Sequence, residues 1–451
     1  MKNLSFLFFS LIIIISCNQN EKEKSVIISG IINDTDVRKI QITNKTDTVD
    51  IGINNNGNFN DTIFINGGYY DLAVGDNIYE IYLKPSFQID IAIGQTIEFL
   101  GIGSNENNYL RDKKILFEKL KELDNYKNYA QLEEKPFLNL MDSLLNVKLK
   151  LLEKTENKIC DEFGFNEKNK LIYKYRNNKA LYEVSRRIVM ENKDFHVSPD
   201  YYTNLFKGIN VNDSKLVNLA GYTKFVDSYI WQTTKNRIGD DNSIDFYFTY
   251  MTVLNEKVKN SEIKEKLSYN IGIYKLNMTD RLDDVYSFIV NNLSNEQDKN
   301  KIEKKYITLK KVEKGAQSPE FEFTDINGNA VSLKDLRGKI VYIDIWSTGC
   351  APCMAEIPYL KKFEEYCIAN NIYLVSINVG DTEEHWKKTV NEKKLGGIQL
   401  HAPNASHNFF KDYLVRGIPR YILLDEDGKI ISSNAKRPSD NKLKEQLDEL
   451  I

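Results

Sequence analysis

The chain contains 451 residues, and its 61 Lys and Arg against 64 Asp and Glu give a formal net charge of -3. A chain of this length exceeds what one hydrophobic core normally supports, so we expect two or three domains. The balanced charge, without a long basic stripe, gives no indication of a nucleic-acid partner.

Residues 1–17 predict a lipoprotein signal peptide. Lys2 gives a positive start, and the apolar run over 4–15 is too short to span a bilayer comfortably. The run leads into an Ile-Ile-Ser-Cys segment ending at Cys17, which is similar to the bacterial lipobox, whose cysteine is lipidated. We therefore expect an exported, periplasm-facing lipoprotein of the cell envelope, anchored to the membrane through Cys17. An ordinary signal peptide with an incidental cysteine is the alternative.

Residues 25–104 predict a β-rich domain. Apolar and polar residues alternate with a period of two in four segments, which lie at 26–31, 39–42, 87–93 and 96–99. Turn signals such as the Asn-Gly pair at 56–57 separate short strands, which favours a β-sandwich or a small barrel. No catalytic pattern occurs here, so we expect a structural or partner-binding role.

Residues 105–310 predict a helical region. Apolar residues recur every three or four positions, for example over 110–120 and 137–145, while Lys and Glu occupy the other faces. The frequent Tyr and Trp residues are interpreted as core rather than as a cofactor site. Cys160 in this region and Cys367 beyond it are most simply buried apolar residues, although a bridge between them stays open.

Residues 312–451 predict a separate module. A hairpin surrounds 325–329, and Ser332 begins a capped helical turn. The apolar run 340–346 then indicates a buried parallel strand. The elements expected beyond it are a helix from 353, a strand over 371–379, a helix that carries Trp386, a hairpin over 420–432 and a helix over 439–450. This is the order of a thioredoxin fold.

The segment Cys350-Ala351-Pro352-Cys353 predicts a redox dithiol where the strand over 340–346 becomes a helix. Cysteines at i and i+3 of a first helical turn bring their sulfurs within bonding distance. The helix N-terminus should stabilise a thiolate at Cys350, which makes it the attacking sulfur and Cys353 the resolving one. A structural disulfide or half of a zinc site are the alternatives, but the sequence contains no second cysteine or histidine pair for zinc. We expect neither a metal nor a cofactor.

The module resembles the TlpA/ResA family of exported thiol-disulfide oxidoreductases. The resemblance rests on the Cys350–Cys353 motif, on Pro358 as the kinking proline of the next helix, and on Gly417-Ile418-Pro419 as the family's cis-proline loop. A cis Ile418-Pro419 bond would offer strand-like hydrogen bonds to a substrate chain. The N-terminal β-rich part resembles a domain of unknown function found ahead of such modules in bacterial lipoproteins.

The resemblance also implies further site residues. Asp344 matches the buried acid of thioredoxins, and Glu356 matches an acid that ResA-like proteins place near the dithiol. Burial would raise the pKa of either acid and let it exchange a proton with Cys353. For Asp344 the alternative is a strand-end acid that hydrogen-bonds to the backbone. For Glu356 it is a solvated acid in the first helical turn, where it favours the helix dipole.

The predicted substrate-facing residues flank the dithiol in the expected fold. They are Trp346, Ile418, Pro419 and Arg420. Two positions depart from the family pattern: Gly349 replaces an aromatic residue before the first cysteine, and Arg420 replaces the threonine that usually follows the proline. Substrate specificity is therefore not implied by the resemblance.

The sequence thus predicts a multidomain α+β protein with an N-terminal β-sandwich-like domain, a central helical region and a C-terminal thioredoxin fold. The predicted activity is reduction of protein disulfides, with protein disulfide substrates and an upstream electron donor as partners. Thiol peroxidase activity is an alternative, but Ile343 and Ser347 replace the Pro and Thr of the peroxiredoxin pattern. The other alternative is a lipoprotein that binds a ligand or a partner and has only secondary redox activity.

Overall fold

The structure is a computed structural model. It describes residues 25–32, 37–94, 96–239, 241, 243–440 and 442–451. The predicted signal peptide and the lipidation site at Cys17 lie outside the described residues. The chain divides into two compact units. The first contains the described residues up to Ile209 together with Lys215–Ser228, and the second contains Asn210–Ser214 with Tyr229–Ile451.

The first unit begins with eight strands arranged in two four-stranded sheets. The strands are β1 (Ser25–Ile32), β2 (Lys39–Thr43), β3 (Thr48–Gly52), β4 (Asn58–Phe64), β5 (Gly68–Val74), β6 (Asn77–Leu83), β7 (Gln88–Ile93) and β8 (Ile97–Ile102). One sheet has the order β4-β1-β7-β8 and the other the order β3-β2-β5-β6. The sequence analysis did not predict strands β3 to β6, because Asn and Asp residues, which are uncommon in strands, interrupt their apolar residues.

The two sheets share one hydrophobic core. Ile28 of β1 and Ile91 of β7 belong to it from one sheet, and Ile42 of β2 and Leu72 of β5 belong to it from the other. Alternate residues of a strand point to opposite faces, so each sheet contributes one apolar face and leaves the other face outward. The prediction of a β-sandwich-like N-terminal domain is confirmed.

Helices dominate the chain from 104 to 310, as predicted. They are α1 (Ser104–Lys119), α2 (Tyr126–Tyr129), α3 (Glu134–Glu153), α4 (Asp161–Ala180), α5 (Tyr182–Val189), α6 (Tyr201–Leu205), α7 (Ala220–Ile238), α8 (Phe246–Lys257), α9 (Ser261–Tyr274), α10 (Leu282–Asn292) and α11 (Glu296–Lys310). The aromatic residues lie in the core, as expected: Tyr175, Tyr182 and Phe137 belong to one buried cluster. None of the described helices is long and apolar enough to span a membrane.

The C-terminal module lies within the second unit and is built on a seven-stranded sheet. Its strands are β9 (Glu322–Asp325), β10 (Ala330–Ser332), β11 (Val341–Trp346), β12 (Tyr373–Val379), β13 (Ile398–Ala402), β14 (Arg420–Leu424) and β15 (Ile430–Ser432). Its helices are α12 (Ala351–Ala369), α13 (Glu383–Lys393), α14 (Asn408–Asp412) and α15 (Lys442–Asp448).

The sheet has the order β10-β9-β13-β12-β11-β14-β15, which places β11 between β12 and β14. Strand β11 is parallel to β12 and antiparallel to β14. All six residues of β11 are buried, as its continuous apolar run predicted. The sequence analysis did not predict strand β13 or helix α14. Both are short, and β13 carries Gln399 and His401 among its apolar residues.

Candidate active site at the start of helix α12

The two cysteines of the motif lie where strand β11 passes into helix α12. Strand β11 ends at Trp346, and Cys350 is the N-cap residue of the helix. Pro352 stands in the first turn, where its fixed backbone angle suits a helix and its missing N–H leaves no lost bond. The N–H of Cys350 donates to the carbonyl of Ser347 over 3.2 Å, which closes the intervening turn.

Cys350 and Cys353 form a disulfide, with their Cα atoms 5.2 Å apart. The backbone N–H of Cys353 donates to Sγ of Cys350 over 3.2 Å. Cys350 is half-buried, whereas Cys353 is only 3% exposed. Because an attacking sulfur must reach its target, this difference favours Cys350 as the nucleophile and Cys353 as the resolving residue.

An apolar cluster supports the disulfide. Trp346, Trp386 and Val390 form its buried part together with Cys353, and Ile418 packs against it. The structure therefore places Trp346, predicted to face the substrate, in the cluster beneath the dithiol. No hydrogen-bond partner for the indole N–H of Trp346 occurs among the described residues.

The proline loop meets the same cluster. The peptide bond between Ile418 and Pro419 is cis, as predicted. Arg420 begins β14, and its guanidinium donates through Nε to the carbonyl of Ser433 over 3.0 Å. Its side chain is 8% exposed, and this burial lowers the pKa of Arg420 to about 10. Arg420 therefore offers a substrate little side-chain surface.

Asp344 lies in the middle of strand β11 and is 3% exposed. Burial, with a smaller contribution from the nearby charge of Glu356, raises the pKa of Asp344 to about 7. The hydroxyl of Ser376, which donates to Oδ2 over 3.5 Å, opposes this effect weakly. The other oxygen, Oδ1, has no hydrogen-bond partner within the described part of the chain. Asp344 therefore titrates near neutral pH.

A small cavity of about 20 Å³ joins Asp344 to the dithiol. Cys353, Trp346, Ser376 and Gln399 are among its lining residues. A cavity of this size has room for one water molecule. Such a water would connect the carboxyl group of Asp344 with the sulfur of Cys353. The sequence analysis did not single out Gln399, because it did not predict strand β13.

Glu356 lies in helix α12, one turn beyond Cys353, and is 4% exposed. Its Oε1 accepts a hydrogen bond from the hydroxyl of Ser439 over 2.8 Å, and its Oε2 accepts one from the Ser439 N–H over 3.1 Å. A nitrogen of Arg437 lies 3.9 Å from Oε1. These contacts tie Glu356 to the segment before α15.

The loop before Cys350 is held by residues that the sequence analysis missed. Thr348 donates to the carboxylate of Asp381 through both its N–H and its hydroxyl. Asp381 follows strand β12, which is parallel to β11, so both residues lie at the same edge of the sheet. That placement is the signal by which Asp381 could have been found. Among the described residues, no group of three His, Cys, Asp or Glu side chains is arranged to hold a metal ion.

A mixed sheet in which a buried inner strand leads through a Cys-x-x-Cys disulfide into a helix defines a thioredoxin-like dithiol protein. The family model described as Redoxin matches residues 313–450. The thiol-disulfide oxidoreductase ResA of Bacillus thuringiensis subsp. konkukian is 30% identical over 141 residues, which cover 31% of this chain and 78% of the relative. The chain belongs to the ResA-like thiol-disulfide oxidoreductases.

Two further proteins are similar to this chain over a comparable share of its length. ResA of Bacillus subtilis is 30% identical over 122 residues, covering 27% of this chain and 55% of the relative. Among solved structures, the thioredoxin domain of a thiol-disulfide oxidoreductase from Bacteroides vulgatus is 29% identical and covers 31% of this chain and 97% of that one, with a TM-score of 0.29. The similarity to all three proteins spans less than a third of this chain.

Proposed function

We propose that this chain is an exported, membrane-anchored lipoprotein that reduces protein disulfides through Cys350 and Cys353. The observation that carries the proposal is the asymmetry of the dithiol: a half-buried sulfur at a helix N-cap is bonded to a buried one. Membership of the ResA-like thiol-disulfide oxidoreductases supports the reaction class.

In the first step, the thiolate of Cys350 attacks one sulfur of the substrate disulfide. A new bond forms between Cys350 and that sulfur, and the second substrate sulfur leaves as a thiolate. The N–H of Cys353, which donates to Sγ of Cys350, and the first-turn N–H groups of α12 would stabilise the attacking thiolate.

In the second step, the sulfur of Cys353 attacks Cys350 and releases the reduced substrate. Cys353 must lose a proton to do so, and Asp344 is the acceptor we propose, through a water in the cavity that both residues line. Its pKa of about 7 lets this carboxyl group take up and return a proton near neutral pH. The protein ends as the Cys350–Cys353 disulfide, and a dithiol electron donor would return two electrons and two protons to it.

The substrate chain would bind beside the proline loop. Ile418 and Cys350 both pack against the cluster that contains Cys353, so the backbone next to Pro419 lies close to the dithiol. An extended peptide can add to such a backbone edge through main-chain hydrogen bonds. We propose Trp346 and Arg420 as supports of this surface, since both side chains are buried.

Replacing the resolving cysteine is expected to trap substrates. In Cys353→Ser, the mixed disulfide at Cys350 loses the sulfur that normally resolves it and therefore accumulates. Proteins purified with Cys353→Ser from cells, without reductant, should carry partners that dithiothreitol releases, and mass spectrometry would identify them. The double variant Cys350→Ser/Cys353→Ser is the control. Conjugates that persist in the double variant, or their absence from Cys353→Ser, would contradict the proposal.

Anchoring is proposed to depend on Cys17. The short apolar run before this cysteine and its lipobox-like context support lipidation. We expect the wild-type chain in the membrane fraction of a bacterial host and Cys17→Ala in the soluble fraction. Cys160→Ala should fractionate as the wild type does. Equal release of the wild type and Cys17→Ala into the soluble fraction would instead indicate an ordinary signal peptide.

A further inference from the structure

The carboxylate of Asp381 binds the loop that leads to the proposed nucleophile. Its Oδ2 accepts the backbone N–H of Thr348 and its Oδ1 accepts the Thr348 hydroxyl, each over 2.7 Å. The amide of Asn378 donates to Oδ2 over 2.8 Å. Hydrogen bonds to a charged acceptor are stronger than neutral ones, especially when the acceptor is half-buried. Thr348 is therefore held firmly.

Thr348 controls the position of Cys350 because little else holds Gly349, the one residue between them. A Cβ atom added to Gly349 would meet nothing within 4 Å, so this residue has no close packing on that side. The N–H of Cys350 then closes the turn onto the carbonyl of Ser347. A shift of Thr348 would therefore move the N-cap residue and its sulfur.

Asp381 is itself attached to the cluster beneath the dithiol. Its backbone carbonyl accepts a hydrogen bond from Nε2 of His401 over 2.8 Å. The ring of His401 stacks on Trp386, with centroids 5.1 Å apart, and Trp386 belongs to the cluster that contains Cys353. The loop before Cys350 and the apolar support of Cys353 are thus connected through one aspartate.

The carboxylate is charged at neutral pH. Burial would raise the pKa of Asp381, but the hydrogen bonds from Thr348 and Asn378 outweigh burial and hold it below its usual range. His385 of α13 and His401 of β13 are the titratable groups that face it. Nδ1 of His385 lies 3.3 Å from the Thr348 hydroxyl oxygen, whose own proton points to Asp381.

We propose that Asp381 and Thr348 form a clamp that positions Cys350 as a thiolate at the start of helix α12. The clamp rests on the proposed function in one respect, which is that Cys350 is the attacking sulfur. Both residues act through the backbone of the loop, so they are positioning residues. When the clamp is released, Sγ of Cys350 is held less precisely against the N–H of Cys353, and the thiolate loses part of its stabilisation.

A double-mutant cycle on the full chain tests the clamp. Thr348→Val removes one hydrogen bond and leaves the charge of Asp381 in place. After reduction, the rate of Cys350 alkylation by iodoacetamide is measured against pH, with the modified residue located by peptide mass spectrometry. In Thr348→Val the midpoint should move to higher pH, with a roughly threefold to tenfold lower rate at pH 7, and Thr348→Ser should restore it. In an Asp381→Ala background, Thr348→Val should have no further effect.

The matched control is Asp425→Ala. Asp425 also holds a turn, because its Oδ1 accepts the N–H groups of Asp427 and Lys429 over 3.0 and 2.7 Å, but that turn joins β14 to β15. This variant should leave the alkylation midpoint unchanged. An unchanged midpoint in Thr348→Val, an equal effect of Thr348→Val in both backgrounds, or the same shift in Asp425→Ala would each overturn the clamp. Faster labelling of Cys353 than of Cys350 would instead contradict the proposed roles of the two sulfurs.

Discussion

Cys350→Ser is expected to abolish disulfide reductase activity. A serine hydroxyl is not ionised at neutral pH and cannot form the mixed disulfide, so the first step of the proposed reaction has no nucleophile. We expect the rate with a model protein disulfide to fall by about a thousandfold or more. The measurement is the initial rate of substrate reduction by the full chain with excess dithiol reductant, corrected for the reductant alone.

Cys160→Ser provides the matched control for this loss. Cys160 is a free, partly buried cysteine at the N-cap of α4, where serine is well tolerated. It should retain the wild-type rate. Activity in Cys350→Ser close to that of the wild type would show that another group attacks the substrate. Circular dichroism on both variants separates a lost nucleophile from a lost fold.

Asp344→Asn is expected to change how stability depends on pH. Burial raises the pKa of Asp344 from 3.8 to about 7. Between these values the folded protein keeps a proton that the unfolded chain releases, so the free energy of unfolding falls as the pH rises through this window. The contribution of Asp344 to that fall is about 4 kcal/mol. Asparagine does not titrate, so the variant should lack this contribution and gain stability relative to the wild type above pH 7.

Chemical denaturation from pH 4 to 8 measures this difference. Trp231→Phe serves as the background, because Trp346 and Trp386 then report on the C-terminal module. Asp427→Asn, at an exposed turn residue, should leave the difference from the background constant across this range. If the difference in unfolding free energy between Asp344→Asn and the background is likewise independent of pH, the pKa of Asp344 is not raised. Asp344 is then not the proton acceptor of the second step.

The sequence analysis predicted the main features of the dithiol site in the C-terminal module. A continuous apolar run predicted β11, and the cysteine spacing predicted the disulfide at the helix N-cap. These two features depend on a few adjacent residues, because strand burial and helix capping are local. The cis bond before Pro419 was implied only by the resemblance of 417–419 to the family's cis-proline loop. The β-sandwich-like domain was also predicted, although half of its strands were not.

Contacts between segments far apart in the chain could not be predicted from the sequence. Asp381 lies 33 positions from Thr348. Its place after a parallel strand indicates the same edge of the sheet, but not that its carboxylate accepts hydrogen bonds from Thr348. Likewise, the sequence pattern does not reveal that Glu356 meets Ser439 or that the guanidinium of Arg420 turns inward to Ser433. Each of these contacts exists only because the mixed sheet and its helices bring the segments together.

The sequence by itself determined which atoms can react, because thiol chemistry depends on residue type and on spacing within one helical turn. Only the tertiary structure decided how those atoms are controlled. It buried Asp344 beside a cavity shared with Cys353, and it brought Asp381 to the loop before Cys350. The physical reason is that desolvation and hydrogen-bond geometry depend on which groups surround an atom in space, and the fold sets those surroundings.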